Sequence, residues 1–253
     1  HTQPVHGNLD KNERFIKRQC CIYLERLLAV FPLTDRDTLE MLTYVLGPKI
    51  SELKKTISKK VYSKQRHTPV FDTDDELDIL DDDSDDFYQM IKHAGKKIQK
   101  EFITLSRTVL AKRVKTLSYA GKSEMEKKLD TLDKMFALSN EEKAFTTLLY
   151  INTVWPRADE YFVDHLHCQD IFGRRYLKVM LQITDSGINR ILSGTLARIE
   201  FFEFSNHSFN LSDDYLGFFQ KPLKDVLNKK DFVRFSGIMV RLRIRLIVFG
   251  VVC

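Results

Sequence analysis

GRRYLKVMLQITDSGINRILSGTLARIEFFEFSNHSFNLSDDYLGFF, residues 173–219, changes its hydrophobic period along its length, and the order of those changes decides the fold. Residues 173–181 place apolar side chains at helical spacing. Residues 182–186 are polar and hold N-cap residue types, so they read as a turn. Residues 187–199 then put Ile188, Ile191, Leu192, Leu196 and Ile199 on one helical face. Residues 201–204 and 209–211 are aromatic-rich and flank the turn Ser205-Asn206-His207-Ser208, the pattern of a β-hairpin. Ser212-Asp213-Asp214 caps a last short helix, to Phe219.

A helix from Glu141 to Val154 precedes this stretch, so the order is helix, turn, helix, hairpin. That is the order of a winged helix. In DNA-binding members the second helix of the helix-turn-helix enters the major groove. Its exposed candidates here are Asn189, Arg190, Ser193, Thr195 and Arg198, with Arg174, Arg175 and Lys178 on the preceding helix as candidate phosphate contacts. The electrostatic footprint is poor, because Asp185 and Glu200 offset Arg190 and Arg198 and the hairpin tip carries no Lys or Arg. Protein packing is the favoured use of this unit, and DNA binding is the alternative.

Upstream, apolar residues recur at spacings of three and four from Asn12 to Phe31, where Pro32 ends the pattern. Thr34 and Asp35 cap a second helix that stops at Gly47-Pro48, and a third runs through Ile50, Leu53, Ile57 and Val61. The composition then changes: residues 72–86 hold ten acids in fifteen positions. Like charges at that density repel, so residues 63–86 read as an acidic linker. A calcium loop needs a central Gly, and none lies there. Residues 87–117 read as a long basic helix broken near Gly95, and eleven Lys and Arg against three Glu lie between Lys92 and Lys128. Ser123-Glu124-Met125-Glu126 and Ser139-Asn140-Glu141-Glu142 are capping boxes that open two further helices.

The resulting expectation is a mainly α chain of helical bundle segments with a C-terminal winged-helix-like unit carrying one small hairpin. It divides as residues 1–62, an acidic linker 63–86, a basic helical block 87–137, the winged-helix-like unit 138–220, and a tail 221–253. In that tail Val240-Arg241-Leu242-Arg243-Ile244-Arg245-Leu246 alternates as a half-buried strand does, before an apolar run to Cys253. Such an edge strand requires cover or a partner.

Several chemistries fail on spacing. Gly121-Lys122-Ser123 ends a phosphate-loop pattern, but the first glycine position is Thr116 and a basic helix precedes it. Gly121 reads as a helix stop and Ser123 as the next N-cap. His165 and His167 lie about 200° apart on a helix and cannot share one metal there. Asp164 with His167 or Cys168 supplies two ligands where structural zinc takes four. Cys20 and Cys21 sit within an apolar helix, and Cys20, Cys21, Cys168 and Cys253 form no CxxC pair, so the thiols read as reduced and intracellular. Asp159-Glu160 and Asp213-Asp214 read as acids at helix starts. No catalytic, cofactor, metal or small-molecule site is read. No signal peptide and no membrane-length apolar run is visible, so the expected location is the cytoplasm, with a protein partner or self-association.

The segment HCQDIFGRRYLKVMLQITDSGINRILSGTLARIEFFEFSNHSFNLSDDYLGFF, with ALSNEEKAFTTLLYI upstream, resembles the region before the ATPase module in a group of bacterial AAA-family ATPases. The resemblance covers residues 138–220. It implies a helical N-terminal part ending in a winged-helix-like unit, followed in the family by a linker and the nucleotide-binding module. No phosphate loop follows Gln220, so the resemblance implies an N-terminal region without the catalytic part and transfers no ATPase residue.

Overall fold

Several helices of this chain start at a side-chain oxygen that accepts from an unpaired N–H of the first turn, as at Asp35, Ser123, Ser139 and Thr184. The computed structural model describes residues 10–65, 84–168, 173–205 and 208–220. They are mainly α-helical, with one two-stranded antiparallel sheet. Asp72–Asp83 of the acidic run, the hairpin tip Asn206-His207 and the alternating run 240–246 lie outside the described residues.

The chain packs as two units. The first spans Ile16–Ser118. It holds most of α1 (Lys11–Val30), then α2 (Arg36–Leu46), α3 (Lys49–Gln65), α4 (Ser84–His93) and α5 (Lys96–Thr116). Asp35 caps α2, its Oδ1 accepting from the Thr38 N–H at 2.8 Å, and Gly47 ends it. The apolar faces meet in a core built on Leu24, Leu27, Leu42, Leu46, Ile57, Ile91, Phe102 and Leu110. α3 packs on α5, and α2 touches α3, α4 and α5. Two ion pairs tie the edges: Lys60 of α3 to Glu101 of α5, and Arg107 of α5 to Glu25 of α1 at 2.8 Å. The linker is shorter than the sequence reading made it. Ser63 and Gln65 belong to α3, and Ser84, Asp85 and Asp86 open α4, where acids meet the positive end of the helix dipole. This unit therefore joins residues that the sequence reading placed on opposite sides of the linker.

The second unit takes His1–Phe15 and Tyr119–Cys253. Its described elements are α6 (Glu124–Phe136), α7 (Asn140–Val154), α8 (Pro156–Asp159), a π-helical turn (Glu160–His165), α9 (Arg174–Leu181), α10 (Asp185–Ser193), α11 (Thr195–Arg198), β1 (Phe202–Ser205), β2 (Ser208–Leu211) and α12 (Asp213–Gln220). Both capping boxes form, Ser123 with Glu126 and Ser139 with Glu142. Gly121 is not a helix stop. α5 ends at Thr116 with Leu117 as its cap, and Gly121 sits in the following turn at φ 75°, a conformation glycine adopts without a Cβ clash.

α7 is the centre of this unit. It is apolar on most of its circumference and packs against α6, α8, α9, α10, α12 and β2. The hairpin pairs Phe202 with Leu211 and Phe204 with Phe209. Phe145 of α7 meets the rings of Phe202 and Phe209 edge to face, with centroids 5.6 and 5.2 Å away. Tyr150 stacks on Phe219 of α12 at 4.0 Å. The buried Lys128 of α6 donates from Nζ to the Phe219 carbonyl at 2.7 Å, satisfying a last-turn acceptor of α12. Burial lowers the pKa of that ammonium. Phe145→Ala removes the ring that both strands share. The expected loss is about 3–5 kcal/mol in unfolding free energy, read from a urea titration.

Candidate nucleic-acid interface

The turn before α10 is capped by Thr184, whose Oγ1 accepts from the Gly187 N–H at 3.2 Å. Apolar Ile188 and Ile191 then turn into the unit, which leaves Asn189, Arg190 and Ser193 exposed on the opposite face. The helix read as continuous over residues 187–199 breaks at Gly194. The broken geometry admits only glycine at 194 and is held by a bond from another helix. A Cβ on Gly194 would lie 2.3 Å from the Arg190 carbonyl oxygen and 2.6 Å from Glu142 Oε1. That same Oε1 accepts from the Leu196 N–H at 2.9 Å, capping α11 from another helix. Thr195 and Arg198 thus belong to α11 and not to α10.

Glu142 is the residue that sequence reading used only in part. It is 3% exposed. Its Oε2 accepts from the Ser139 N–H at 2.9 Å, as a capping box requires, while Oε1 reaches Leu196. The capping box was the visible signal; the second bond depends on residues far along the chain. Glu142→Ala leaves two buried or half-buried N–H groups without their acceptor. The expected loss is about 2–3 kcal/mol, with Glu142→Gln losing less, both measured by chemical denaturation.

Four of the six candidate contacts have side-chain partners within the unit. Lys178 Nζ pairs with Asp185 Oδ2 at 2.9 Å. Arg190 Nη1 pairs with Glu141 Oε1 of α7 at 2.8 Å. Arg175 lies over the Tyr176 ring, 4.6 Å from its centroid, and donates to the Tyr176 hydroxyl at 2.8 Å. Arg198 donates to Thr195 Oγ1 at 3.3 Å. Arg174 is half-buried at the start of α9, and Asn189 is exposed, its carbonyl accepting from Ser193 Oγ. The sequence of this unit, residues 1–15 and 119–253, holds 21 Lys and Arg against 19 Asp and Glu, a net charge of only +2.

The other candidate constellations also separate. Asp164, His165, His167 and Cys168 do not bring three ligand atoms together. His165 stacks against Tyr161, and His167 turns away at φ 49°. Asp159 stands in the first turn of the short α8 and at the N-cap of the π-helical turn, which Glu160 opens, as the sequence reading placed them, and Glu160 pairs with Arg157 at 3.0 Å. Asp213 does open α12. Cys20, Cys21 and Cys168 are buried and unbridged. Burial pushes the Cys21 thiol up to about 12, against the pull of Arg113 and Lys17, and raises Cys20 and Cys168 as well. None of the three is poised as a nucleophile. In the native protein they are expected to resist iodoacetamide at about pH 8 and to label fully in denaturant, as followed by intact mass.

No protein-family model, curated protein or solved structure matches the chain.

Proposed function

We propose that the chain is a non-catalytic interaction or regulatory region, similar to the part that precedes the ATPase module in bacterial AAA-family ATPases. Residues 138–220 act in it as a winged-helix-like packing unit. The partner is a protein, either an ATPase module or a second copy of the chain, and the compartment is the cytoplasm. Among the described residues no helix is long and apolar enough to cross a membrane, which is compatible with this reading.

One observation carries the choice of protein over DNA. The cations that would face phosphates from α9 and α10 are answered in place, Lys178 by Asp185 and Arg190 by Glu141. A phosphate backbone would have to break those pairs before it met either cation. A protein partner faces no such cost, because mixed-sign surfaces are ordinary at protein interfaces.

The two readings separate on α10. Fluorescence anisotropy with a mixed-sequence DNA duplex is expected to show affinities for wild type and Arg190→Ala/Arg198→Ala within about twofold of each other. A loss of about tenfold or more in that variant would restore the winged-helix DNA-binding regulator. Light scattering of the chain, alone and with a purified bacterial AAA-family ATPase module, is expected to show self-association or a complex. A chain that stays monomeric in both mixtures, and leaves the module's ATPase rate unchanged, would end the interaction reading.

A further inference from the structure

The unit spanning Ile16–Ser118 separates its charges along the chain. Its sequence holds 19 Lys and Arg against 16 Asp and Glu, and eight of those acids fall within residues 72–83; its described residues, 16–65 and 84–118, hold 18 Lys and Arg against 8 Asp and Glu. Most of those eight described acids are engaged with cations at the edges of the helices or at a cap. Glu25 pairs with Arg107, Glu101 with Lys60, and Glu40 and Asp85 with Arg36. Asp35 caps α2. What remains is a row of lysines on the outward side of α4 and α5. Lys92, Lys96, Lys97, Lys100, Lys112 and Lys115 are all exposed. None of the six pairs with a carboxylate among the described residues.

The placement follows from helix geometry. Ile98, Phe102, Ser106 and Leu110 form the buried side of α5. At 100° per residue, Lys97, Lys100 and Lys115 fall on the opposite side and Lys112 flanks them; the one acid there, Glu101, falls between Lys97 and Lys112 and is paired with Lys60 of α3. Thr104 and Thr108 fill the middle of this side, their hydroxyls bonded back to the Lys100 and Thr104 carbonyls. From Lys97 to Lys115 the row extends about 27 Å along the axis, the length of about eight base pairs. Lys96 and Lys97 also stand in the first turn of α5, where no acid is present and where the helix dipole disfavours cations.

We infer that this lysine row is a docking surface for the phosphate backbone of nucleic acid. Three classes of partner would answer positive charge, and the chemistry of the row separates them. Protein interfaces are depleted in Lys and anchored by aromatic residues and Arg. The outward side of α5 carries Lys and Thr and no aromatic side chain. A membrane surface is gripped by an apolar helix face laid into the lipid. The apolar face of α5 is buried in its own unit. A polyphosphate chain needs neither an anchor nor a groove, only spaced positive charge along its length. The contact is made by ammonium groups on a helix side that enters no groove, so it is blind to base sequence. It lies in the other unit from α10 and is independent of the reading proposed for residues 138–220.

The test uses the full chain and a fluorescein-labelled mixed-sequence DNA duplex, titrated by anisotropy from about 50 mM to about 200 mM salt. Wild type is expected to bind with a steep salt dependence. Lys97→Glu/Lys100→Glu/Lys112→Glu/Lys115→Glu is expected to bind at least about tenfold more weakly, with the log–log salt slope shallower by about 3 to 4. The same four positions changed to Gln keep the helix without reversing charge, and are expected to lose affinity in the same direction. Circular dichroism of each variant checks that α5 is intact. Arg190→Ala/Arg198→Ala serves as the control and should match wild type. The inference is overturned if wild type fails to bind at the lowest salt, or if the folded Gln variant binds as wild type does. It is also overturned if the chain prefers phosphatidylserine vesicles to the duplex.

Discussion

The buried carboxylate of Glu142 is the constraint from which the hairpin side of the molecule follows. One oxygen closes the capping box with Ser139, and the other holds the Leu196 N–H. With water excluded, neither N–H has an alternative acceptor, so the start of α7 and the start of α11 are fixed to one atom group. The path continues through the backbone. The Leu196 carbonyl accepts from Phe201, and the Phe201 carbonyl accepts from Ser212, at 3.0 and 3.1 Å. Ser212 Oγ and the Tyr215 hydroxyl then close on the carbonyls of Glu200 and Ile199. The base of the hairpin is thus hydrogen-bonded on both sides before any aromatic ring is packed. Phe145 completes it by filling the space between the strands and α7.

Charge is handled differently in the two units. In the unit of α6 to α12, cations are matched by acids of neighbouring helices, as Arg190 is by Glu141 and Lys143 is by Asp133. In the unit of α2 to α5, Glu25, Glu40 and Glu101 go to Arg107, Arg36 and Lys60 at helix edges, and the lysines of α5 keep no such partner among the described residues. Exposed pairs of this kind add little stability, about 0–1 kcal/mol each.

What was legible in the sequence is what is local in the chain. Ser123 with Glu126, Ser139 with Glu142, Thr184 and Asp35 announced their helices because a cap acts over three residues. The hairpin announced itself through phenylalanines on either side of a polar turn. The break at Gly194 did not, because Ile191, Leu192, Leu196 and Ile199 keep helical spacing across it. The deciding group is Glu142, 54 positions earlier. Arg190 looked available for the same reason, since its partner Glu141 is 49 positions away. The packing of α3 on α5 was hidden by the acidic run between them, which reads as a boundary. The excess of lysine after residue 92 was visible as a count, but its confinement to the outward side of α5 required knowing which side is buried.

The turn at Glu160–His165 contains one residue more than an α-helical turn, with the Leu166 N–H reaching back to the Tyr161 carbonyl at 2.9 Å. Upstream of it Ala158 is buried, and downstream of it Leu166 and Cys168 are buried too. Removing a single residue would let the turn relax to the ordinary helical pitch and would rotate everything after it by about 100°. Leu166 and Cys168 would then swing off the core together. With both flanks buried, the length of this segment is fixed to the residue by packing.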